Sequence, residues 1–206
     1  MYDLTIIGAG PAGLSAGLFA GMYGLKTTIV GEMLGGQLNF APMVFDYPGV
    51  RSITGKDWLT AMYDRLKESS VEVRAEKIVD VSSQKEETGE VEKTVFTSRS
   101  PTNEYKSLSL LFASGNEKRR PSYTGNDLAR SLGVEITPTG FMYVDSRLAT
   151  NIEGVFAAGD CLPHPPSLEQ LVTSAAFGVE AAAFAYTYIK HRKPPILWGK
   201  ASIPRT

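Results

Sequence analysis

The first thirteen residues restrict the fold of this chain more than any other segment, because a short apolar strand runs directly into a glycine-rich turn and a helix. The strand is predicted at Leu4 to Ile7, the turn is Gly8-Ala-Gly-Pro-Ala-Gly13, and the small-residue helix is predicted at Pro11 to Tyr23. A strand, a Gly-x-Gly-x-x-Gly turn and a helix form the first unit of dinucleotide-binding α/β folds. The sequence therefore predicts an α/β domain that binds a nucleotide.

The three glycines of this turn have separate expected roles. Gly8 makes the tight turn, Gly10 lets a pyrophosphate approach the backbone, and Gly13 lets the helix pack against the strand. The first turn of the helix offers unpaired N–H groups and the positive end of the helix dipole to phosphates.

The second strand, predicted at Lys26 to Val30, gives a less definite signal. Dinucleotide sites usually place an acidic residue at the end of this strand, where it holds a ribose hydroxyl. Here Gly31 stands at that position and Glu32 follows it. Three possibilities stay open: Glu32 reaches the ribose, the backbone alone holds the adenosine, or Glu32 is an exposed loop carboxylate.

Composition excludes several classes of protein. The net charge of −1 argues against a nucleic-acid partner, and the basic run at Lys190 to Lys193 is interpreted as a solvated helix end. No apolar run is long enough for a signal peptide or a membrane span, so we expect a cytoplasmic protein. A single cysteine, Cys161, cannot form an intrachain disulfide or CxxC pair. His164 and His191 lack ligand spacing, so no metal is assigned.

The remaining elements follow from hydrophobic spacing and turn residues. A loop at Gly35 to Gly49 precedes a predicted helix, and several strands and a final alanine-rich helix follow. The predicted elements are a helix at Gly55 to Ser69, strands at Val71 to Ser82, Lys93 to Arg99, Tyr105 to Phe112 and Phe141 to Asp145, a charged turn at Gln84 to Glu90, and a helix at Leu168 to Lys190.

A second glycine motif, Gly154-Val-Phe-Ala-Ala-Gly-Asp160, precedes the final helix. Cys161 follows it directly and is interpreted as a small buried side chain rather than a reactive thiol. His164 has two possible positions, next to a bound cofactor as a proton donor or on a surface loop, and the surface loop is favoured.

In sequence order, the chain carries Gly8-Ala-Gly-Pro-Ala-Gly13, Gly35-Gly-Gln-Leu38, Asp46-Tyr-Pro-Gly49, Leu111-Phe-Ala-Ser-Gly115, and the Gly-Asp motif followed by Gln170-Leu-Val-Thr-Ser-Ala175. Together these motifs resemble the FAD domain of low-molecular-weight thioredoxin reductases. The resemblance covers nearly the whole chain. It implies an FAD/NAD(P)-binding, Rossmann-like, three-layer domain with a central parallel sheet and a small antiparallel sheet.

The same resemblance implies an FAD site and the roles of its residues. Asp160 would hydrogen-bond the ribityl chain, and the helix near Gln170 would direct its N-terminus at the pyrimidine edge of the flavin. Family members usually carry Asn in place of Asp46, so a more acidic flavin environment is expected. The implied FAD-binding residues are Gly8, Gly10, Pro11, Ala12, Gly13, Gly31, Glu32, Gly36, Gln37, Leu38, Asp46, Glu76, Lys77, Ala113, Ser114, Gly115, Arg119, Gly159, Asp160, Glu169, Gln170 and Leu171.

The chain departs from that family in the middle. Thioredoxin reductases insert an NADPH domain, with a second glycine motif and a CxxC pair, between the two halves of the FAD domain. Here only Asn126 to Ser131 separates segments that resemble the exit and return strands, and six residues cannot replace a domain of about a hundred. We therefore expect a single FAD domain over 1–206, with halves 1–125 and 132–193 joined directly.

The departure changes the expected function. An FAD-dependent oxidoreductase is predicted that takes electrons from a partner protein, such as a ferredoxin or thiol protein, or from a diffusible reductant, and does not reduce thioredoxin with NADPH. The alternatives are a non-catalytic FAD-binding module, sensor or subunit, and a domain separated from a longer parent. A homodimer is also expected, because Trp58 to Leu66 and the aromatic residues of the last helix offer more than one apolar face.

Overall fold

The fold is described by a computed structural model over residues 1–69, 71–88, 91–116, 125–165 and 169–197. Its strands are β1 (Tyr2–Ile7), β2 (Thr27–Val30), β3 (Val71–Arg74), β4 (Asp80–Thr88), β5 (Val91–Arg99), β6 (Glu104–Phe112) and β7 (Val155–Ala157). Its α-helices are α1 (Pro11–Met22), α2 (Gly55–Lys67), α3 (Gly125–Ser131) and α4 (Leu171–Lys190), and a 3-10 helix spans Gly36–Phe40.

The parallel part of the sheet is built around β1. Strand β1 pairs with β2 on one side and β6 on the other, so that Ile7 lies level with both Val30 and Phe112. Strand β3 extends the sheet beyond β2. Because these parallel strands end at the same level, the loops that follow them meet at one edge of the sheet.

Strand β6 joins the parallel and antiparallel parts into one mixed sheet. One edge of β6 pairs with β1, and its other edge pairs antiparallel with β5 through Glu104 to Ser107 and parallel with β7 through Leu110 to Phe112. The strand order is β3-β2-β1-β6-β5-β4, with β7 on β6. The predicted α/β class is confirmed, and the expected small antiparallel sheet is continuous with the parallel one.

Two strand predictions were wrong in extent. The segment Val71 to Ser82 forms two strands. The chain leaves β3 at Arg74, at one edge of the sheet, and begins β4 at Asp80, at the opposite edge. Residues 84–88 continue β4 rather than forming a turn. The segment Phe141 to Asp145 forms only an isolated bridge, between Met142 and Ile136.

Close contact between α1 and α4 depends on glycine. A Cβ on Gly178 of α4 would lie 2.1 Å from the carbonyl oxygen of Ala12, and a Cβ on Gly13 of α1 would lie 1.9 Å from that of Gly8. Both contacts are with backbone atoms, which cannot rotate away as a side chain can. Because Gly13 and Gly178 have no side chains, the two helices can pack directly against each other and against the β1 turn.

The aromatic residues of α4 pack within the chain. Tyr186 is buried against Tyr23, Tyr188 contacts Phe156, and the ring of Phe177 lies 6.1 Å from that of His164. These contacts correct the expectation that the aromatic residues of α4 form a second exposed face. Among the residues whose positions are given, no helix combines the length and apolar character needed to cross a membrane.

Replacing Gly178 with Ala is expected to destabilise the protein by about 2 kcal/mol, since overpacking against fixed atoms outweighs the better helix propensity of Ala. Thr187→Ala, at an exposed position of the same helix, is the control and is expected to change stability by no more than about 0.5 kcal/mol. Urea denaturation measures both. Equal stability of the two variants would contradict the packing described for α1 and α4.

Candidate functional site

A cleft lies beyond the carboxyl ends of β1, β2 and β6, and encloses about 1080 Å³ of space with its open mouth included. Ligands of open α/β sheets bind at this edge, in the crevice outside the strand ends. Fourteen of the residues predicted from the sequence line it. They are Gly8, Gly10, Pro11, Ala12, Gly31, Glu32, Gly36, Gln37, Glu76, Lys77, Ala113, Ser114, Gly115 and Asp160.

The turn between β1 and α1 has the geometry predicted for its glycines. Gly8 has a φ of +119°, and a Cβ there would lie 2.2 Å from the carbonyl oxygen of Ala113. At Gly10 the nearest atom to an added Cβ is 3.9 Å away, so the backbone faces open space. No side chain caps the start of α1. The first-turn N–H groups are therefore available to an anion in the cleft.

Glu32 lies on the cleft wall and is also exposed to solvent. Its carboxylate is 4.0 Å from the ammonium group of Lys77, a second cleft residue. Gly31 allows the chain to pass close to Ala9, because a Cβ at Gly31 would lie 2.6 Å from the Ala9 nitrogen. A carboxylate and an ammonium thus stand together at the ends of β2 and β3, where ribose or adenine contacts are predicted.

Glu76 has a structural role in addition to lining the cleft. Its carboxylate accepts hydrogen bonds from the Ser100 hydroxyl and, at 2.8 Å, from the Asn103 amide. The Ser100 hydrogen bond is the main reason that the pKa of Glu76 lies below its usual value. Burial and then the hydrogen bond to Glu76 raise the pKa of Tyr105 to about 12. Glu76 therefore fixes the loop between β5 and β6 next to the cleft.

The chain that leaves β6 places Ala113, Ser114 and Gly115 on the cleft wall. The Ser114 hydroxyl is buried and has no hydrogen-bond partner in the described part of the chain. Buried hydroxyls are normally paired, so this one is placed to bond a ligand. Gly115, with a φ of +76°, turns the chain away from the sheet.

Asp160 lines the cleft beside the first turn of α4. The Ser174 hydroxyl donates to Asp160 Oδ1 at 2.5 Å, and the carboxylate is 23% exposed. Burial raises the pKa of Asp160, and the charge of Glu169 adds to this, whereas the Ser174 hydrogen bond and His164 lower it. Asp160 is therefore a carboxylate that the fold keeps partly desolvated at the cleft.

His164 does not lie on the surface as predicted. Its side chain is only 8% exposed, and its Nε2 is 3.9 Å from Asp160 Oδ1. Its ring packs against Phe177 of α4. Cys161, by contrast, is buried as expected, and its thiol donates to the carbonyl oxygens of Ala158 and Phe112.

Seven predicted site residues do not line the cleft. Gly13 and Gly159 support it through backbone packing, since a Cβ on Gly159 would lie 2.8 Å from that of Ala12. Leu38 belongs to the core and Asp46 is exposed. At the start of α4, Glu169 accepts a 2.8 Å hydrogen bond from Asn116, Gln170 caps the helix and Leu171 begins it. Arg119 lies outside the described residues.

Ten cleft residues were not predicted. Ser174 lies in the motif Gln170-Leu-Val-Thr-Ser-Ala175, and a contact between its hydroxyl and Asp160 could have been suspected from that motif. Most of the others are apolar residues at strand ends, which a single sequence does not distinguish from core. The ten are Ile7, Ala9, Val30, Met33, Ile78, Asn116, Gly125, Leu128, Ala158 and Ser174.

The pyridine nucleotide-disulphide oxidoreductase family matches this chain over residues 2–132 and 123–178, and the chain belongs to that family. A thioredoxin reductase of Peptoclostridium acidaminophilum is 33% identical over 141 residues, which are 68% of this chain and 42% of that protein. A ferredoxin–NADP reductase of Streptococcus agalactiae serotype Ia is 31% identical over 161 residues, 74% of this chain and 43% of that protein. The chain spans less than half the length of both relatives.

The fold is also similar to that of a solved structure, the ferredoxin-flavin thioredoxin reductase of Clostridium acetobutylicum. The TM-score is 0.74 at 23% sequence identity, over 92% of this chain and 98% of that one. Family and fold therefore agree with the α/β class of the chain.

Replacing Asp160 with Asn is expected to stabilise the ligand-free protein at neutral pH. The folded state raises the pKa of Asp160, so it binds the proton more readily than the unfolded state does. Wild-type stability contributed by this group is therefore present at low pH and falls as pH rises through the raised pKa. Asn keeps an oxygen for the Ser174 hydroxyl and carries no charge.

Urea denaturation between pH 4 and pH 7 measures this effect, with exposed Asp46→Asn as the matched control. The advantage of Asp160→Asn over wild type should grow with pH, while that of Asp46→Asn should stay within about 0.5 kcal/mol. A neutral-pH loss of stability in Asp160→Asn would contradict the burial cost assigned to this carboxylate.

Proposed function

We propose that this chain binds FAD in the cleft and acts as an FAD-dependent oxidoreductase. The observation that carries the proposal is one cleft that contains both the uncapped start of α1 with its open Gly10 and the partly desolvated carboxylate of Asp160. The first suits a pyrophosphate, and the second suits the hydroxyls of a ribityl chain. Of FAD, FMN and NAD, only FAD has both groups.

The other cleft residues fit the same cofactor. Glu32 and Lys77 would hold the adenosine end, and the unpaired Ser114 hydroxyl would bond a polar group of the cofactor. Ser174 would keep Asp160 oriented for its hydrogen bond. When bound, FAD supplies one- and two-electron redox chemistry, while the chain supplies binding, orientation and electrostatics.

We also propose a single FAD domain, in which the two halves are joined directly. The family matches the chain in two segments that overlap at residues 123–132, close to the predicted junction. At this junction, Gly125 and Leu128 of α3 line the cleft. These observations support a junction that forms part of the cofactor site.

These features restrict the electron sources that we propose. The chain has one cysteine, and that cysteine is buried, so a dithiol pair within the chain does not relay electrons. The relatives include a thioredoxin reductase, a ferredoxin–NADP reductase and a ferredoxin-flavin thioredoxin reductase by name. We propose that electrons come from a ferredoxin, a thiol protein or a diffusible reductant through the cleft mouth.

The alternative is a non-catalytic FAD-binding module. It is favoured by the cleft lining within the described residues, which holds no cysteine or histidine to exchange electrons or protons with a substrate. Binding and reduction of FAD therefore require separate experiments.

A homodimer is proposed on a different surface from the one first expected. Phe40, Met43, Phe45 and Val50 form an exposed apolar segment after the 3-10 helix, and Phe40 and Phe45 are 75% and 74% exposed. Exposed apolar patches of this kind favour association, and a two-fold dimer is the commonest form.

FAD is expected to bind more tightly than FMN or NAD when each is titrated into cofactor-free protein and followed by flavin fluorescence or calorimetry. Asp160→Asn should weaken FAD binding about tenfold or more, the size expected for losing a charge-assisted hydrogen bond. Glu32→Gln is the matched amide control on the exposed rim and should cost less. Equal affinity for FMN and FAD, or a preference for NAD, would contradict the site proposed.

Reduction of the FAD-loaded protein distinguishes an oxidoreductase from a module. Under anaerobic conditions, reduced ferredoxin or a dithiol is expected to bleach the flavin absorbance, and NADPH with thioredoxin is expected to give no turnover. A flavin that no donor reduces would favour the module. NADPH-driven thioredoxin reduction at the rate of a two-domain reductase would refute the single-domain proposal.

A further inference from the structure

His164 is a buried imidazole whose two ring nitrogens are both shielded from solvent and have no hydrogen-bond partner in the described part of the chain. Leaving a buried polar group unpaired destabilises the folded protein. A native fold that keeps such a group calls for an explanation, such as a ligand-dependent contact. An apolar residue would fill the same space without this cost.

The position of the ring is fixed by its surroundings. Pro163 and Pro165 flank His164 in the sequence and restrict the backbone on both sides. Phe177 of α4 holds the ring, with centroids 6.1 Å apart and planes inclined by 32°. The imidazole is thus held beside the cleft before any ligand binds.

Within the described part of the chain, Asp160 is the one carboxylate at ion-pair distance from His164, with 3.9 Å between Nε2 and Oδ1. This is about 1 Å longer than a hydrogen bond, so a small side-chain rotation would close it. Asp160 already accepts the Ser174 hydroxyl, and the other charged group that acts on it is Glu169. His164 is therefore the group placed to offset the charge of Asp160.

We propose that His164 is a positioning residue for the cofactor site: when FAD occupies the cleft, its imidazole N–H donates to Asp160 and holds that carboxylate ionised and oriented toward the ribityl chain. The proposal rests on the proposed function, FAD binding. Burial already disfavours the ionised form of Asp160, and bound FAD would exclude the remaining water from it. The imidazole would replace the hydrogen bonds that this water provided.

The test is a double-mutant cycle on FAD affinity, with His164→Phe and His164→Gln, each in the wild-type and Asp160→Asn backgrounds. Phe keeps an aromatic ring against Phe177 but has no donor, whereas Gln retains an N–H donor. In the wild-type background, His164→Phe is expected to weaken FAD binding about tenfold and His164→Gln about threefold or less. In the Asp160→Asn background, His164→Phe should change affinity less than twofold.

A second measurement does not depend on the His164 variants folding. In protein labelled with ¹⁵N-histidine, FAD addition should slow exchange of the His164 ring N–H enough to reveal its resonance, and Asp160→Asn should abolish that signal. His191→Gln assigns the resonance, because the chain has only these two histidines.

The outcomes separate the two proposals. No FAD affinity in the wild-type protein would overturn the proposed function and this inference together. Wild-type FAD affinity with an unaffected Phe variant, equal losses in both backgrounds, or no protected ring N–H would overturn the role of His164 alone.

Discussion

The structure depends on backbone atoms meeting at van der Waals distance around the β1 turn. Gly8 lies against Ala113, Gly13 against the Gly8 carbonyl, and Gly178 against Ala12, each at a distance that a methyl group would prevent. These contacts join β1, β6, α1 and α4, which together form the floor and one wall of the cleft. Because a larger side chain at any of these glycines would displace main-chain atoms, it would alter both the fold and the cleft.

At Asp160, in contrast, a residue that lines the cleft lowers the stability of the fold. Burial disfavours its ionised form, and among the described residues that form is favoured by the Ser174 hydroxyl and by the His164 imidazole 3.9 Å away. Groups whose pKa is perturbed in this way are concentrated at functional sites, where interactions with a ligand can offset the unfavourable burial. Within the described residues, the Ser114 hydroxyl and the His164 ring nitrogens also lie in or beside the cleft without a hydrogen-bond partner, a pattern typical of ligand-binding sites.

Local patterns in the sequence were sufficient where neighbouring residues decide the structure. The strand, turn and helix at residues 2–22, the glycine geometry of that turn and the α/β class were predictable because the glycines sit at a fixed spacing between an apolar strand and a helix. The motif around Asp160 likewise placed that residue at the cleft. Its binding role stays a prediction.

Predictions failed where distant residues decide. The local pattern of residues 71–82 cannot reveal that the chain crosses from one edge of the sheet to the opposite edge between Arg74 and Asp80. His164 was predicted on the surface because its ring packs against Phe177, thirteen positions later, and the local sequence does not reveal that contact. Leu128 and Ser174 reach the cleft only through tertiary packing.

The strand order leaves β4 as an outer strand of the mixed sheet in the described chain. The outer edge of a nine-residue strand could add to the same strand of another molecule and extend the sheet. Asp80, Lys85, Glu86 and Glu87 place charges along that strand, and burying them against a second copy would remove their hydration. Open-ended, edge-to-edge growth of copies of this chain through β4 is thereby disfavoured.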